Sequence, residues 1–216
     1  TMSEETVQQI GNDVMDAMRR QFGGGKGRDE FRLRMSNIGK PTCQLWFAKN
    51  KPEEALPKPT TFVMNMLLGD IVEAAFKGII KEAGYPYEDK DNFVTLQLGD
   101  AMIKGSYDIV VDGAMDDVKS ASDWSYRNKF ESYDTLQKSD PFGYVGQLAG
   151  YAKASGKKVG GWWVVNKANG NIKYVPADGL DLDEQIAKLE KTVETVNDNK
   201  FERCFAPVPE TFRGVP

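Results

Sequence analysis

The chain has 216 residues, a formal net charge of −4, no histidine and two cysteines. That length supports one sizeable core, two cysteines build no disulfide framework, and the acidic balance excludes a protein that grips nucleic acid by net charge alone. No apolar run reaches the ~20 residues of a membrane helix.

No secretory pattern is visible, and each cysteine reads as a small buried thiol, so the expected location is the cytoplasm. Residues 4–22 carry Val7, Ile10, Val14, Met15 and Met18 at helical spacing, which predicts an amphipathic helix. The run Gly23-Gly24-Gly25-Lys26-Gly27 breaks it. The chain therefore divides into a helix with a glycine-rich linker at 1–27 and a domain at 28–216. Arg19, Arg20, Lys26, Arg28, Arg32, Arg34 and Lys40 make a basic strip, expected to frame the entrance to the site that Asp108 and Asp117 form farther along the chain, and Arg32 and Arg34 are candidate DNA-binding residues.

Residues 41–49 predict a helix, 51–60 a proline-rich loop, and 61–83 a long helix closed by Gly84. Met64, Leu68, Ile71, Val72, Ala75, Ile79 and Ile80 give that helix a core stripe. Gly69 and Glu73 are four apart and share another face. One reading is a surface pair of Glu73 with Lys77. The other is that Gly69 leaves room for a metal ion or a phosphate beside the carboxylate.

Strands are predicted at 93–98, 103–111 and 114–121, the last two joined by an Asp112-Gly113 turn. This register pairs Val111 with Ala114, Val110 with Met115, Ile109 with Asp116 and Asp108 with Asp117. Two carboxylates directly opposite would lie roughly 5 Å apart, which is destabilising without a partner. Lys119 points to the same face as Asp117. A hard divalent cation, Mg2+ or Mn2+, would explain the pair.

Farther on, Trp124, Tyr126 and Phe130 interleave with Arg127 and Lys129, a pattern that suits base stacking between phosphate contacts. Residues 141–154 predict a helix with Asp140 as N-cap and Pro141 at N1, placing Gln147 and Tyr151 on one face. A hairpin follows at 159–165 and 172–175 around Asn169-Gly170, then a charged amphipathic helix at 182–196. Helices flanking a mixed sheet make the fold class α/β.

In order, Glu73, Asp108, Asp117-Val118-Lys119 and Gln147-x-x-x-Tyr151 resemble the PD-(D/E)xK nuclease superfamily, in its RecB-like and lambda-exonuclease-like branches. The resemblance covers residues 69–151. RecB-like members usually carry histidine where Glu73 stands, so this position is closer to the lambda-exonuclease-like variant. The resemblance implies a restriction-endonuclease-like core and a Mg2+- or Mn2+-dependent deoxyribonuclease. Asp108, Asp117, Glu73 and the Val118 carbonyl would hold metal, Lys119 would be catalytic, and Gln147 and Tyr151 would contact DNA. It further implies DNA with an end as substrate, roles in recombination, repair or phage DNA processing, and a homo-oligomer or a recombination partner protein. A structure-specific endonuclease or a non-catalytic DNA-binding protein on the same fold are the alternatives.

Residues 35–46 resemble the N-terminal segment of Cas4-like and AddB-like nucleases, where a cysteine joins three C-terminal ones around an iron–sulfur cluster. Four thiolates are needed. Cys43 and Cys204 supply two, so no such cluster is expected within one chain, although the two residues are expected to lie close together.

Overall fold

The computed structural model of the chain describes residues 2–22, 30–56, 58–88 and 90–204. The glycine-rich segment, with Lys26 and Arg28 and the expected boundary after residue 27, lies outside them. The helices are α1 (Glu4–Phe22), α2 (Thr42–Asn50), α3 (Thr60–Glu82), α4 (Tyr133–Lys138), α5 (Tyr144–Ser155) and α6 (Leu182–Asn197). The strands are β1 (Tyr87–Glu88), β2 (Phe93–Leu98), β3 (Ala101–Ser106), β4 (Ile109–Val111), β5 (Ala114–Ala121), β6 (Lys158–Asn166) and β7 (Ile172–Pro176). Among the described residues no helix is long and apolar enough to cross a membrane.

One five-stranded mixed sheet has the order β1-β4-β5-β6-β7, and β2 with β3 forms a separate hairpin. Asp112 and Gly113 both take positive φ, as a two-residue hairpin turn of this twist requires. The β4–β5 register is the expected one, Val111 with Ala114 through Ile109 with Asp116. β5 and β6 are parallel, joined by a crossover that contains α5.

Helices cover both sheet faces. Phe76 and Ile80 of α3 pack on Ile109 and Val118, with Trp163 alongside. On the other face Leu148 and Ala152 of α5 join Met115, Trp162 and Val164, and Leu189 of α6 completes the layer. This is the mixed α/β architecture, a sheet between helices, expected of a restriction-endonuclease-like core.

Three local expectations are corrected. Residues 103–111 are not one strand: β3 ends at Ser106 and β4 starts at Ile109, so Asp108 sits at the break. Helix α5 starts at Tyr144, preceded by Gly143 with φ 76°, and Asp140 caps it from outside by accepting from the Tyr144 and Val145 amides at 2.9 and 2.8 Å. The apolar stripe of α3 is core only in part: Ile80 is buried and Val72 half-buried. Val63, Phe76 and Ile80 are its buried residues, while Met64, Leu68, Ile71 and Ile79 are exposed.

Cys43 and Cys204 are joined as a disulfide rather than standing as two separate thiols, and their Cα atoms are 5.7 Å apart. The expected neighbourhood of α2 and the tail holds. Trp46, Phe47 and Phe201 pack edge to face, and Lys49 Nζ donates to the Val196 carbonyl at 2.8 Å.

Candidate active site

Alternation along β5 sends Asp117 and Lys119 to the α5 face and Asp116 and Val118 to the α3 face. Asp108 reaches the Asp117 side from the β3–β4 break. The Val118 amide donates to Asp108 Oδ2 at 2.8 Å, which fixes the carboxylate against β5. Lys119 Nζ lies 2.6 Å from Asp117 Oδ2. Asp117 is 3% exposed, and that Oδ2 has no aligned hydrogen bond, only the ion pair.

Burial pushes the Asp108 carboxyl up to about 7, and the Asp117 charge and a hydrogen bond between the two side chains push the same way. Lys119 and the Val118 amide pull it back only in part. Near neutrality Asp108 is therefore held partly protonated, the usual response of a carboxyl crowded by a like charge. Burial disfavours the Lys119 charge, but Asp117 and Asp108 outweigh it and the ammonium is held well above its ordinary range. Lys119 also lies 5.0 Å from the Tyr144 ring centroid, a cation–π arrangement.

A pocket of about 520 Å³ opens at this place, lined by Gly69 and Glu73 of α3 together with Asp108, Val118 and Lys119. A Cβ on Gly69 would meet only Ser120 Oγ at 3.7 Å, so the glycine is not forced by contact there. Glu73 pairs with Lys77 at 2.7 Å, as the surface-pair reading expects, and it also lines the pocket. Among the described residues no three His, Cys, Asp or Glu side chains stand close enough together to form a ready metal cluster.

Gln147 hydrogen-bonds the Tyr151 hydroxyl, whose pKa burial raises to about 12 and which also feels Asp117 and Asp108. Tyr151 is 4% exposed, so it stands behind the carboxylates as wall rather than rim. Trp124 is 65% exposed, free of the core, and Arg127 pairs with Asp123 at 3.1 Å.

The basic strip is placed differently from expectation. Arg32 and Arg34 line a larger cleft of about 710 Å³, with Lys49, Lys104 and Phe93, and this cleft shares no lining residue with the carboxylate pocket. The cations that do border the carboxylates besides Lys119 are Lys129 and Lys167. Lys167 was legible in principle. It follows the last residue of β6, and groups just beyond the C-terminal ends of parallel strands gather at one edge of the sheet. Phe142 and Tyr144 also line the pocket and stack on each other, centroids 5.5 Å apart.

The fold has solved counterparts. The crystal structure of SSO0001 matches with a TM-score of 0.50 at 13% identity, over 86% of each chain. An alkaline exonuclease, LHK-Exo from Laribacter hongkongensis, matches at 0.49 and 12% identity, over 80% of this chain and 91% of the exonuclease. No family model and no curated protein matches the chain. At these identities the likeness concerns the fold, and chemistry has to be argued from the site.

Proposed function

We propose that this chain is a Mg2+- or Mn2+-dependent deoxyribonuclease, acting on DNA ends as an exonuclease in recombination, repair or phage DNA processing. One observation carries the reading: the Asp108 carboxylate, fixed against β5 by the Val118 amide at 2.8 Å, stands beside the buried Asp117 carboxylate, with Lys119 Nζ 2.6 Å from Asp117 Oδ2. Paired like charges cost stability, so a fold that keeps them needs a use for them.

The residues fit a hard divalent ion. Both donors are carboxylate oxygens, and Asp117 Oδ2 is buried without an aligned hydrogen bond. Asp108 and Asp117 would hold the ion, with the Val118 carbonyl and Glu73 as further oxygen donors, Glu73 directly or through water. When bound, such an ion polarises a phosphoryl oxygen and lowers the pKa of a bound water.

The remaining work belongs to the side chains. Lys119 stays cationic, which suits it to orient the attacking water or to neutralise charge on the phosphate better than to act as a free base. Lys129 and Lys167 at the rim hold neighbouring phosphates. Gln147, half-buried, meets the strand, while Tyr151 holds Gln147 in place from behind. Trp124 offers a face for a base, with Arg127 beside it, and Arg32 and Arg34 in their own cleft take phosphates farther along the DNA.

End-labelled linear DNA and closed circular DNA, each with EDTA, Mg2+ or Mn2+, test this reading. Metal-dependent loss of linear DNA alone is expected. Cutting of the closed circle would make the protein an endonuclease, and intact DNA of every form with either ion would overturn the nuclease reading.

A further inference from the structure

Helices α1 and α3 pack on each other but do not complete a core. Val7, Ile10 and Val14 of α1 remain 53, 47 and 62% exposed. Leu68, Ile71 and Ile79 of α3, on the side of the helix turned away from the sheet, remain 39, 54 and 53% exposed. Both stripes follow the three-and-four spacing of a helix-packing seam. A two-helix layer covers only about half of each seam side chain. An amphipathic helix of 19 residues draws most of its stability from packing, which this chain alone supplies poorly.

The chemistry of α1 narrows what can cover the seam. Glu4, Glu5, Asp13 and Asp16 outnumber Arg19 and Arg20 along it. Helices that lie on anionic membranes carry Lys and Arg on the polar face, and DNA repels an acidic one. The two ends of the helix differ in charge: Glu4 and Glu5 open it, Asp13 and Asp16 lie along its middle, and Arg20 stands near its end. Two copies of α1 laid antiparallel bring unlike charges together at both ends and oppose their dipoles. That arrangement is twofold and self-complementary. Six large aliphatic side chains left about half exposed on one face give each copy an apolar patch of the kind that a standard interface, at ~800 Å² per partner, covers.

We propose that the α1–α3 face is the interface between two copies of this chain, which meet as an antiparallel four-helix layer about a twofold axis. The proposal does not depend on the nuclease reading.

Light scattering on the full chain at micromolar concentrations should return twice the chain mass. Val14→Glu with Ile71→Glu should return one chain mass while the chain stays folded by circular dichroism, because both side chains are already more than half exposed, and its melting temperature should lose the concentration dependence of the wild type. Glu5→Lys should weaken association by roughly two- to fivefold, and adding Arg20→Glu should restore it. A wild-type chain that stays monomeric overturns the proposal, including the case in which a different protein covers the seam. So does a double variant that folds and remains dimeric. If the double variant does not fold, the exposed charge pair decides: an unchanged dissociation constant in Glu5→Lys rejects the antiparallel arrangement.

Discussion

Two neighbouring aspartates on β5 are buried to the same depth and live in opposite circumstances. Asp116 is 4% exposed and Asp117 is 3% exposed. Asp116, on the α3 face, accepts from the Gly161 amide at 2.9 Å, Trp163 Nε1 at 3.0 Å and the Tyr174 hydroxyl at 2.9 Å. Burial raises its pKa, and those three donors work against the shift. Asp117, on the α5 face, has a lysine and a second carboxyl for company. Burial alone therefore does not mark a functional acid. A carboxylate surrounded by donors is a structural fixture, and one facing another carboxylate is a candidate for function.

The largest expected effect tests that contrast. Asp117→Ala should lower the cleavage rate by about three orders of magnitude or more while the fold persists. Asp116→Ala should do the reverse, costing ~3 kcal/mol of stability by stranding three donors, with cleavage per folded molecule preserved. Denaturant melts and single-turnover cleavage on both variants would collapse the distinction if the two behaved alike.

A smaller effect concerns pH in metal-free protein. Asp108 has its pKa raised from 3.8 to about 7, so between those values the folded state binds more protons than the unfolded one. The associated stability is complete below about pH 4 and is lost as pH rises through about 7. Asp108→Asn removes this dependence. The variant should match wild type below about pH 4 and exceed it near pH 8 in urea melts with EDTA, and wild type equally stable relative to the variant at both values would remove the crowded pair from the account. The smallest effect is expected at the rim. Trp124→Ala should weaken single-stranded DNA binding by ~1–3 kcal/mol if the ring stacks on a base, with an unchanged melting temperature because the ring is 65% exposed. Equal loss on every substrate would place Trp124 outside the base-stacking surface.

The hairpin register was readable because Asp112-Gly113 admits few turn geometries and the period-two alternation then fixes every partner. That is why Asp108, Asp117 and Lys119 could be brought together from spacing. The break at Tyr107-Asp108 was signalled by Gly105, Ser106 and Asp108, residues that disfavour strands, but the apolar alternation on either side masked it. The α3 stripe was misassigned in part for a different reason: helical periodicity says that a face is apolar, not what lies against it. Arg32 and Arg34 were placed at the wrong cavity because a run of cations in sequence does not specify which strand it will lie beside, and Arg34 bridges to Lys104. The Cys43–Cys204 bond spans 161 positions, beyond the reach of any local pattern.

That bond makes a closed covalent loop of everything from α2 to the end of α6, leaving α1 outside the loop though packed on α3. A protease that nicks a surface turn within the loop leaves one covalent molecule until a reductant is added. A nick between α1 and α2 leaves α1 held by its packing on α3 alone. Opening the loop also enlarges the space available to the unfolded chain, a change on the order of 5 kcal/mol by chain-entropy reasoning. The sheet and its paired carboxylates would thus unfold more readily in a reducing environment than in an oxidising one, with no side chain of the pocket altered.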